Sequence, residues 1–148
     1  MAATEDAVFV VETLGLRLQR YDRSTGVVSV FADDLPGFPD GVKVSADGKS
    51  LLVALVAPLS PLLALTRFPM LRWLLAHIMF DRLTHSLASR LIKRFGAVVR
   101  VDIDSGRVIE VLVDPTGEVL ASVSAVREDS EGVLYFGNLG GEHVSIMR

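Results

Sequence analysis

The chain has 148 residues, about half of them apolar, with a formal net charge of −3 and a pI near 5.6. This length and composition predict one folded domain with a sizeable core, and the acidic balance argues against nucleic acid as a partner, because phosphate binding normally requires a basic surface. No cysteine is present, which excludes disulfides, thiolate catalysis and cysteine-based zinc sites. The first residues are acidic and contain no readable secretory signal, so a cytoplasmic location is the default expectation.

Alternating apolar runs between turn signals predict ten short antiparallel strands in groups of three, four and three. The predicted strands cover residues 7–12, 16–22 and 27–31, then 41–45, 50–55, 97–103 and 108–113, and finally 122–128, 133–137 and 143–147. Acid- and glycine-containing turns separate them, at residues 22–26, 46–49, 104–106 and 129–132. The segments 7–11, 50–54 and 133–137 form a weak repeat, each as the second strand of its group. This rhythm predicts an all-β fold of propeller blades.

Residues 57–95 interrupt the central group where a short hairpin would serve, and they are predicted to be a helical insertion. Apolar residues recur there at helical spacing, and Pro61 and Pro69 suit the first turns of helices. Residues 67–94 carry six basic side chains against the single carboxylate of Asp81, a net charge of +5, so the other residues together carry −8. The insertion is therefore a basic, amphipathic stretch on an acidic body.

Three interpretations of the insertion stay open. It packs on the propeller with its arginines solvated, it forms a lid over the channel mouth, or residues 61–94 make peripheral contact with an anionic membrane, where each basic residue adds about 1 kcal/mol. A transmembrane span is not expected, because prolines and charged residues interrupt every run long enough to cross a bilayer.

The stretch LPGFPDGVKVSADGKSLLVAL, residues 35–55, places Asp40 where a strand leaves a proline- and glycine-rich loop. The prolines fix φ and the glycines permit a tight backbone, so this short carboxylate can point at a common axis. Phe38 is a candidate for an apolar rim around it. The alternative from the residues alone is that Asp40 only shapes a turn, as Asp before Gly often does.

The same stretch resembles the strictosidine synthase-like propellers and, through Pro39-Asp40-Gly41, also the gluconolactonase/senescence-marker and paraoxonase families. The segment Leu134-Tyr135-Phe136-Gly137 matches the family's Leu-Tyr-x-Gly strand. The resemblance implies a six-bladed β-propeller, of which this chain would be the C-terminal half, about two and a half blades. The first group would lack its inner strand and the last its outer strand, so self-association or assembly with a missing N-terminal half is expected.

The resemblance also implies a metal-dependent hydrolase of a small-molecule ester or lactone, with Ca²⁺ as cofactor polarising the carbonyl and Asp40 as the candidate metal ligand. The candidates for the mouth of the central channel are Phe38, Gly41, Ser124 and Glu128. Ser124 stands where the plant synthase has its general-base glutamate, and a hydroxyl has no comparable basicity. The resemblance therefore excludes strictosidine synthesis itself, and one metal ligand does not yet make a calcium site.

Two alternatives to an enzyme remain open, a non-catalytic binding or membrane-surface-associated propeller and an inactive truncated fragment. The other polar residues predict little chemistry, since the three histidines are too scattered for a metal motif. Glu12 is expected to form a structural ion pair with Arg17 or Arg20, Glu128 is also explained as a strand-end carboxylate, and Asn138 is expected to end a strand.

Overall fold

A computed structural model of the chain describes residues 1–59, 68–70, 73, 95–139 and 143–148. The chain divides into two compact units, Met1–Pro58 with Arg94–Arg148, and Leu59–Lys93. The predicted helical insertion, residues 57–95, begins too early, because Ala57 and Pro58 still belong to a strand that ends at Pro58. In the second unit the described residues Pro69, Met70 and Trp73 are helical, and residues 60–67, 71–72 and 74–94 of the predicted insertion lie outside the described residues. Within the described parts of the chain, no helix is long and apolar enough to cross a bilayer.

The first unit contains three antiparallel sheets, each with its strands in chain order. Sheet A contains β1 (Ala2–Ala3), β2 (Ala7–Glu12), β3 (Arg17–Asp22) and β4 (Val28–Ala32). Sheet B contains β5 (Gly37–Val44), β6 (Ser50–Pro58), β7 (Gly96–Asp102) and β8 (Val108–Asp114). Sheet C contains β9 (Val123–Glu128), β10 (Leu134–Asn138) and β11 (Val144–Met147). All ten predicted strands are present, and the all-β prediction of a partial propeller is confirmed.

Sheet A has an inner strand that the sequence analysis did not predict. Ala2 pairs with Phe9 and Ala3 with Val8, so β1 completes a four-stranded sheet. Ala2 is buried in the core between sheets A and B, which explains why so short a strand is held in place. The prediction that the first group lacks its inner strand is therefore wrong. Sheet C has three strands among the described residues, as predicted.

Strand β5 begins at Gly37, four residues before the predicted start at Gly41. The proline-rich segment was predicted as a loop because proline cannot donate to a ladder. In the structure Pro39 lies in a strand at the edge of sheet B, beside shifts in the pairing register, which are the two places where a sheet tolerates proline. Asp40 is consequently part of a strand and not of a turn.

Two apolar layers hold the three sheets together. The first joins sheets A and B and includes Phe9, Leu18 and Val53, and the second joins sheets B and C and includes Leu52 and Phe136. Residues 51–55 of β6 are all 0% exposed, because alternate side chains enter the two layers. Burying each such Leu or Val contributes roughly 1.5–3 kcal/mol, so sheet B is the rigid centre of the unit.

The first strands of the sheets converge along one side of the unit. Strand β5 contacts β1 of sheet A and β9 of sheet C. Each of these is the first strand of its sheet and lies at one edge of it, and because β5 contacts the other two we call them the innermost strands. Any site shared by the three sheets is therefore built on β1, β5 and β9.

Candidate functional site

A β-bulge in β5 presents the candidate carboxylate Asp40. Pro39 pairs with Leu55 of β6 and Gly41 pairs with the adjacent Ala54, so Asp40 is the extra residue between two ladder positions. Its side chain is exposed, whereas Pro39 before it is buried. Bulges are over-represented next to active sites, where they redirect a side chain. The structure therefore places Asp40 on an innermost strand with its carboxylate accessible.

Gly41 allows β5 to approach β9 closely. A Cβ atom at this position would collide with the carbonyl oxygen of Ser124, which is backbone and cannot move aside easily. Glycine is therefore required at this position for steric reasons, with no need for an unusual φ. The close approach brings Gly41 against Ser124 at the junction of sheets B and C, and Asp40 is the residue before Gly41 in β5. These are three of the residues singled out in the sequence.

The hydroxyl of Ser124 is used within its own sheet. Its Oγ donates to the carbonyl oxygen of Gly137 at 3.3 Å, and the side chain is half-buried. Among the described residues, no histidine or carboxylate forms a hydrogen bond with this hydroxyl. A nucleophilic serine needs such a base within hydrogen-bond reach, so the described geometry gives Ser124 no role as a nucleophile.

Glu128 lies four residues beyond Ser124 in β9, roughly 13 Å further along the strand. Its carboxylate accepts hydrogen bonds from the Arg100 guanidinium, at 3.0 Å from Nη2 and 3.4 Å from Nη1, and from the backbone N–H of Ala46 at 3.0 Å. The hydrogen bond from Arg100 holds the pKa of Glu128 below its ordinary value, although burial opposes the effect. Glu128 therefore binds sheet C to sheet B, well separated from Asp40.

Arg100 is the residue of this region that sequence reasoning missed. It donates to Glu128, to the Ser50 hydroxyl at 3.1 Å and to Glu110 at 3.1 Å, and its side chain is 20% exposed. The available signal was an arginine in the otherwise apolar strand GAVVRVD. A charge among buried residues requires partners, so the sequence could have indicated an interface ion pair here.

Phe38 and Glu12, two further positions singled out in the sequence, have structural roles. Phe38 is 5% exposed, so it is buried and not presented to solvent as a rim residue. Glu12 forms the predicted ion pair with Arg17 at 2.7 Å, whereas Arg20 pairs with Asp22 at 3.4 Å.

Asn138 ends β10, as predicted, and links neighbouring segments of sheet C. Its Nδ2 donates to the Ser145 hydroxyl at 2.9 Å, and its Oδ1 accepts the backbone N–H of Ala121 at 3.3 Å. The side chain therefore joins β11 to the chain that leads into β9.

Calcium takes six to eight oxygen ligands, usually several of them carboxylates. Among the described residues, no group of three or more His, Cys, Asp or Glu side chains could surround an ion. Asp40 offers one carboxylate. The described residues therefore do not form a calcium site by themselves, and calcium binding stays a prediction.

Comparison with known proteins places these features in context. No family model matches the chain. The adipocyte plasma membrane-associated protein of Bos taurus is 29% identical to it over 151 residues, covering 100% of this chain and 36% of the relative. The proteins of the same name from Mus musculus and Homo sapiens are 28% identical over 141 residues, covering 93% of this chain and 34% and 33% of the relatives. The similarity supports the strictosidine synthase-like resemblance at the level of the family. The chain spans about a third of the length of these curated relatives.

Proposed function

We propose that this chain is a segment of a β-propeller that hydrolyses a small-molecule ester or lactone, and that it contributes the carboxylate of Asp40 to the site. The bulge in β5 carries this proposal, because it exposes Asp40 on the side where the first strands of the sheets converge. Gly41 packs against β9 directly after the bulge. The carboxylate is thus held by rigid elements, which is what a preorganised site requires.

Asp40 acts in this proposal as one oxygen ligand among several. The described residues supply too few ligands for an ion, and the proposal takes the other ligands from a further copy of the chain, so the purified chain is expected to be active once it has assembled. Ser124 lies on β9, next to Gly41 of β5. In this proposal it shapes the wall of the site and takes no part in proton transfer.

The proposal predicts that purified chain hydrolyses an aryl ester or a lactone in a calcium-dependent manner. A chelator is expected to abolish the activity and added calcium to restore it, while calcium titration by calorimetry gives a readout that does not depend on activity. Circular dichroism serves as the control for folding in each condition. Absence of hydrolysis by the folded chain in excess calcium, or full activity in the presence of chelator, would contradict the proposal.

A second function, peripheral contact with a membrane, is favoured by the described part of the insertion. Phe68, Met70 and Trp73 have exposures of 63%, 86% and 63%. They lie in the stretch whose net charge is +5. Exposed aromatic and apolar side chains beside basic residues suit the surface of an anionic bilayer, and the relatives carry the name plasma membrane-associated protein.

This second function predicts that the chain cosediments with vesicles of phosphatidylserine and phosphatidylcholine at low salt, and much less with phosphatidylcholine alone. Replacing Phe68 and Trp73 together by Ala is expected to reduce the bound fraction several-fold. Val111→Ala truncates an apolar side chain that is 47% exposed on sheet B, outside the insertion, and it should leave binding unchanged. Failure to bind the anionic vesicles even at low salt would contradict membrane contact.

A further inference from the structure

The second strands of the three sheets, β2, β6 and β10, repeat one pattern and so have equivalent positions. Phe9, Leu52 and Tyr135 occupy the first of these positions, each third in its segment of the repeat. The next position is occupied by Val10, Val53 and Phe136. Successive residues of a strand point to opposite faces of its sheet, so the two positions report on the two faces.

The exposure of each position depends on whether a neighbouring sheet covers it. At the first position Phe9 and Leu52 are 2% and 0% exposed, whereas Tyr135 at the end of the stack is 38% exposed. At the second position Val53 and Phe136 are 0% and 1% exposed, whereas Val10 at the other end is 44% exposed. The same position is thus buried inside the stack and exposed at its ends.

Each terminal face carries further exposed apolar residues. We call the two faces the A face and the C face. The A face contains Val10, Tyr21, Val28 and Val30, of which the last three are 40%, 62% and 48% exposed. Gln19 pairs with both Val10 and Val30 on this face, and the ion pair of Glu12 with Arg17 lies at one end of it.

The C face contains Tyr135 with its partner Ile146, and Val144, the last two of which are 59% and 65% exposed. Arg127 also pairs with Tyr135 and lies on this face. Clusters of exposed apolar residues rimmed by polar ones are typical of interaction sites.

We propose that a second copy of this chain covers these faces, so that the C face of one copy packs against the A face of the other. Inside the chain, Phe9 shares an apolar layer with Val53, and Leu52 shares one with Phe136. Packing Tyr135 of one copy against Val10 of the next continues that series. Contacts between two A faces or between two C faces would not repeat this packing of a first-position residue against a second-position residue.

A contact between two different faces either closes into a ring or continues into a filament. Each copy has three sheets, so two copies joined through both pairs of faces make a ring of six, which is within the roughly four to eight blades of closed β-propellers. The proposal is therefore a closed dimer with two identical A-to-C contacts. It uses only residues of the first unit.

Light scattering during size-exclusion chromatography tests this proposal. The expected mass is about 32 kDa, twice the 16.0 kDa of the chain. Val10→Arg and Tyr135→Arg are each expected to give a folded monomer, because either charge disrupts both contacts of the ring. Ile109→Arg is the matched control, because Ile109 is 58% exposed but lies on the outer strand of sheet B.

Mixing the two variants provides a second test. The Val10→Arg copy retains its C face and the Tyr135→Arg copy retains its A face, so the mixture is expected to form a dimer through one intact contact. A wild-type chain that is monomeric at every concentration would overturn the proposal. A dimer that resists both substitutions would overturn it too, and so would a dimer sensitive to only one of them, since that result indicates pairing of like faces.

Discussion

Glu128→Gln is expected to lower the free energy of unfolding by about 2 kcal/mol. The wild-type carboxylate is 12% exposed and accepts hydrogen bonds from both Nη atoms of Arg100, whose side chain is 20% exposed. Removing one charge of a buried pair costs about 3–5 kcal/mol, because the other charge is left unpaired. The loss is expected to be smaller here, since Arg100 keeps its contact with Glu110 and the glutamine can still accept the Ala46 N–H.

Urea denaturation of the variant and of Glu110→Gln provides the measurement and its control. Glu110 contacts the same arginine but is 48% exposed, so its loss should cost no more than about 1 kcal/mol. Equal losses in the two variants would contradict the proposed role of Glu128.

The contribution of Glu128 to the free energy of unfolding depends on pH. The hydrogen bond from Arg100 lowers the pKa of Glu128 from its ordinary value of 4.5, so this contribution is complete above pH 4.5. The contribution declines as the pH falls through the lowered pKa, and the difference in the free energy of unfolding between Glu128→Gln and wild type should shrink with it.

Gly106→Ala is expected to lower the free energy of unfolding by about 3 kcal/mol, far more than Gly26→Ala. Both glycines have a φ of 71° in matching turns that are closed by Asp102 and Asp22. A side chain in this left-handed region costs about 1–2 kcal/mol at either position. A Cβ at Gly106 would also collide with the carbonyl oxygen of Phe31 in sheet A, whereas nothing lies within 4 Å of the corresponding atom at Gly26. Such overpacking adds about 1–3 kcal/mol.

The pair of glycine variants separates backbone strain from packing between sheets A and B. Thermal and urea denaturation of both should give a difference of at least about 1 kcal/mol between them. Equal losses would mean that the turn of sheet B does not pack against β4. That outcome would contradict the stacking of the two sheets.

The strands of this fold were predictable because their alternation and their turns are local features. Asp22 illustrates this, since its carboxylate accepts the N–H groups of Ser24 and Thr25, which are neighbours in sequence. The hydroxyl of Ser24 is the largest contribution to lowering the pKa of Asp22 to about 2. β1 carries no such signal, because two alanines form a strand only through the core that Ala2 enters.

The candidate site was predictable only in part, because its residues meet through contacts distant in sequence. Asp40 could be singled out from its motif, but its place in a bulge depends on pairing with β6. The role of Gly41 depends on Ser124, which lies in another sheet. An arginine in an apolar strand indicates that Arg100 has a charged partner, but the identity of that partner, Glu128, requires knowing that sheet C packs on sheet B.

The carboxylate of Asp40 is proposed to serve the hydrolytic site. The most direct test of this role is the kcat/KM for ester hydrolysis of Asp40→Asn, measured beside wild type and Asp104→Asn in excess calcium. Asp104 is also an exposed aspartate, but it lies in the turn between β7 and β8, so its variant should match wild type. We expect Asp40→Asn to lose at least about 10–100-fold in kcat/KM, because removing a partner that only orients a metal ligand already costs that much and Asp40 is proposed to be a ligand itself. A folded Asp40→Asn chain with the wild-type kcat/KM would contradict a role of Asp40 in hydrolysis.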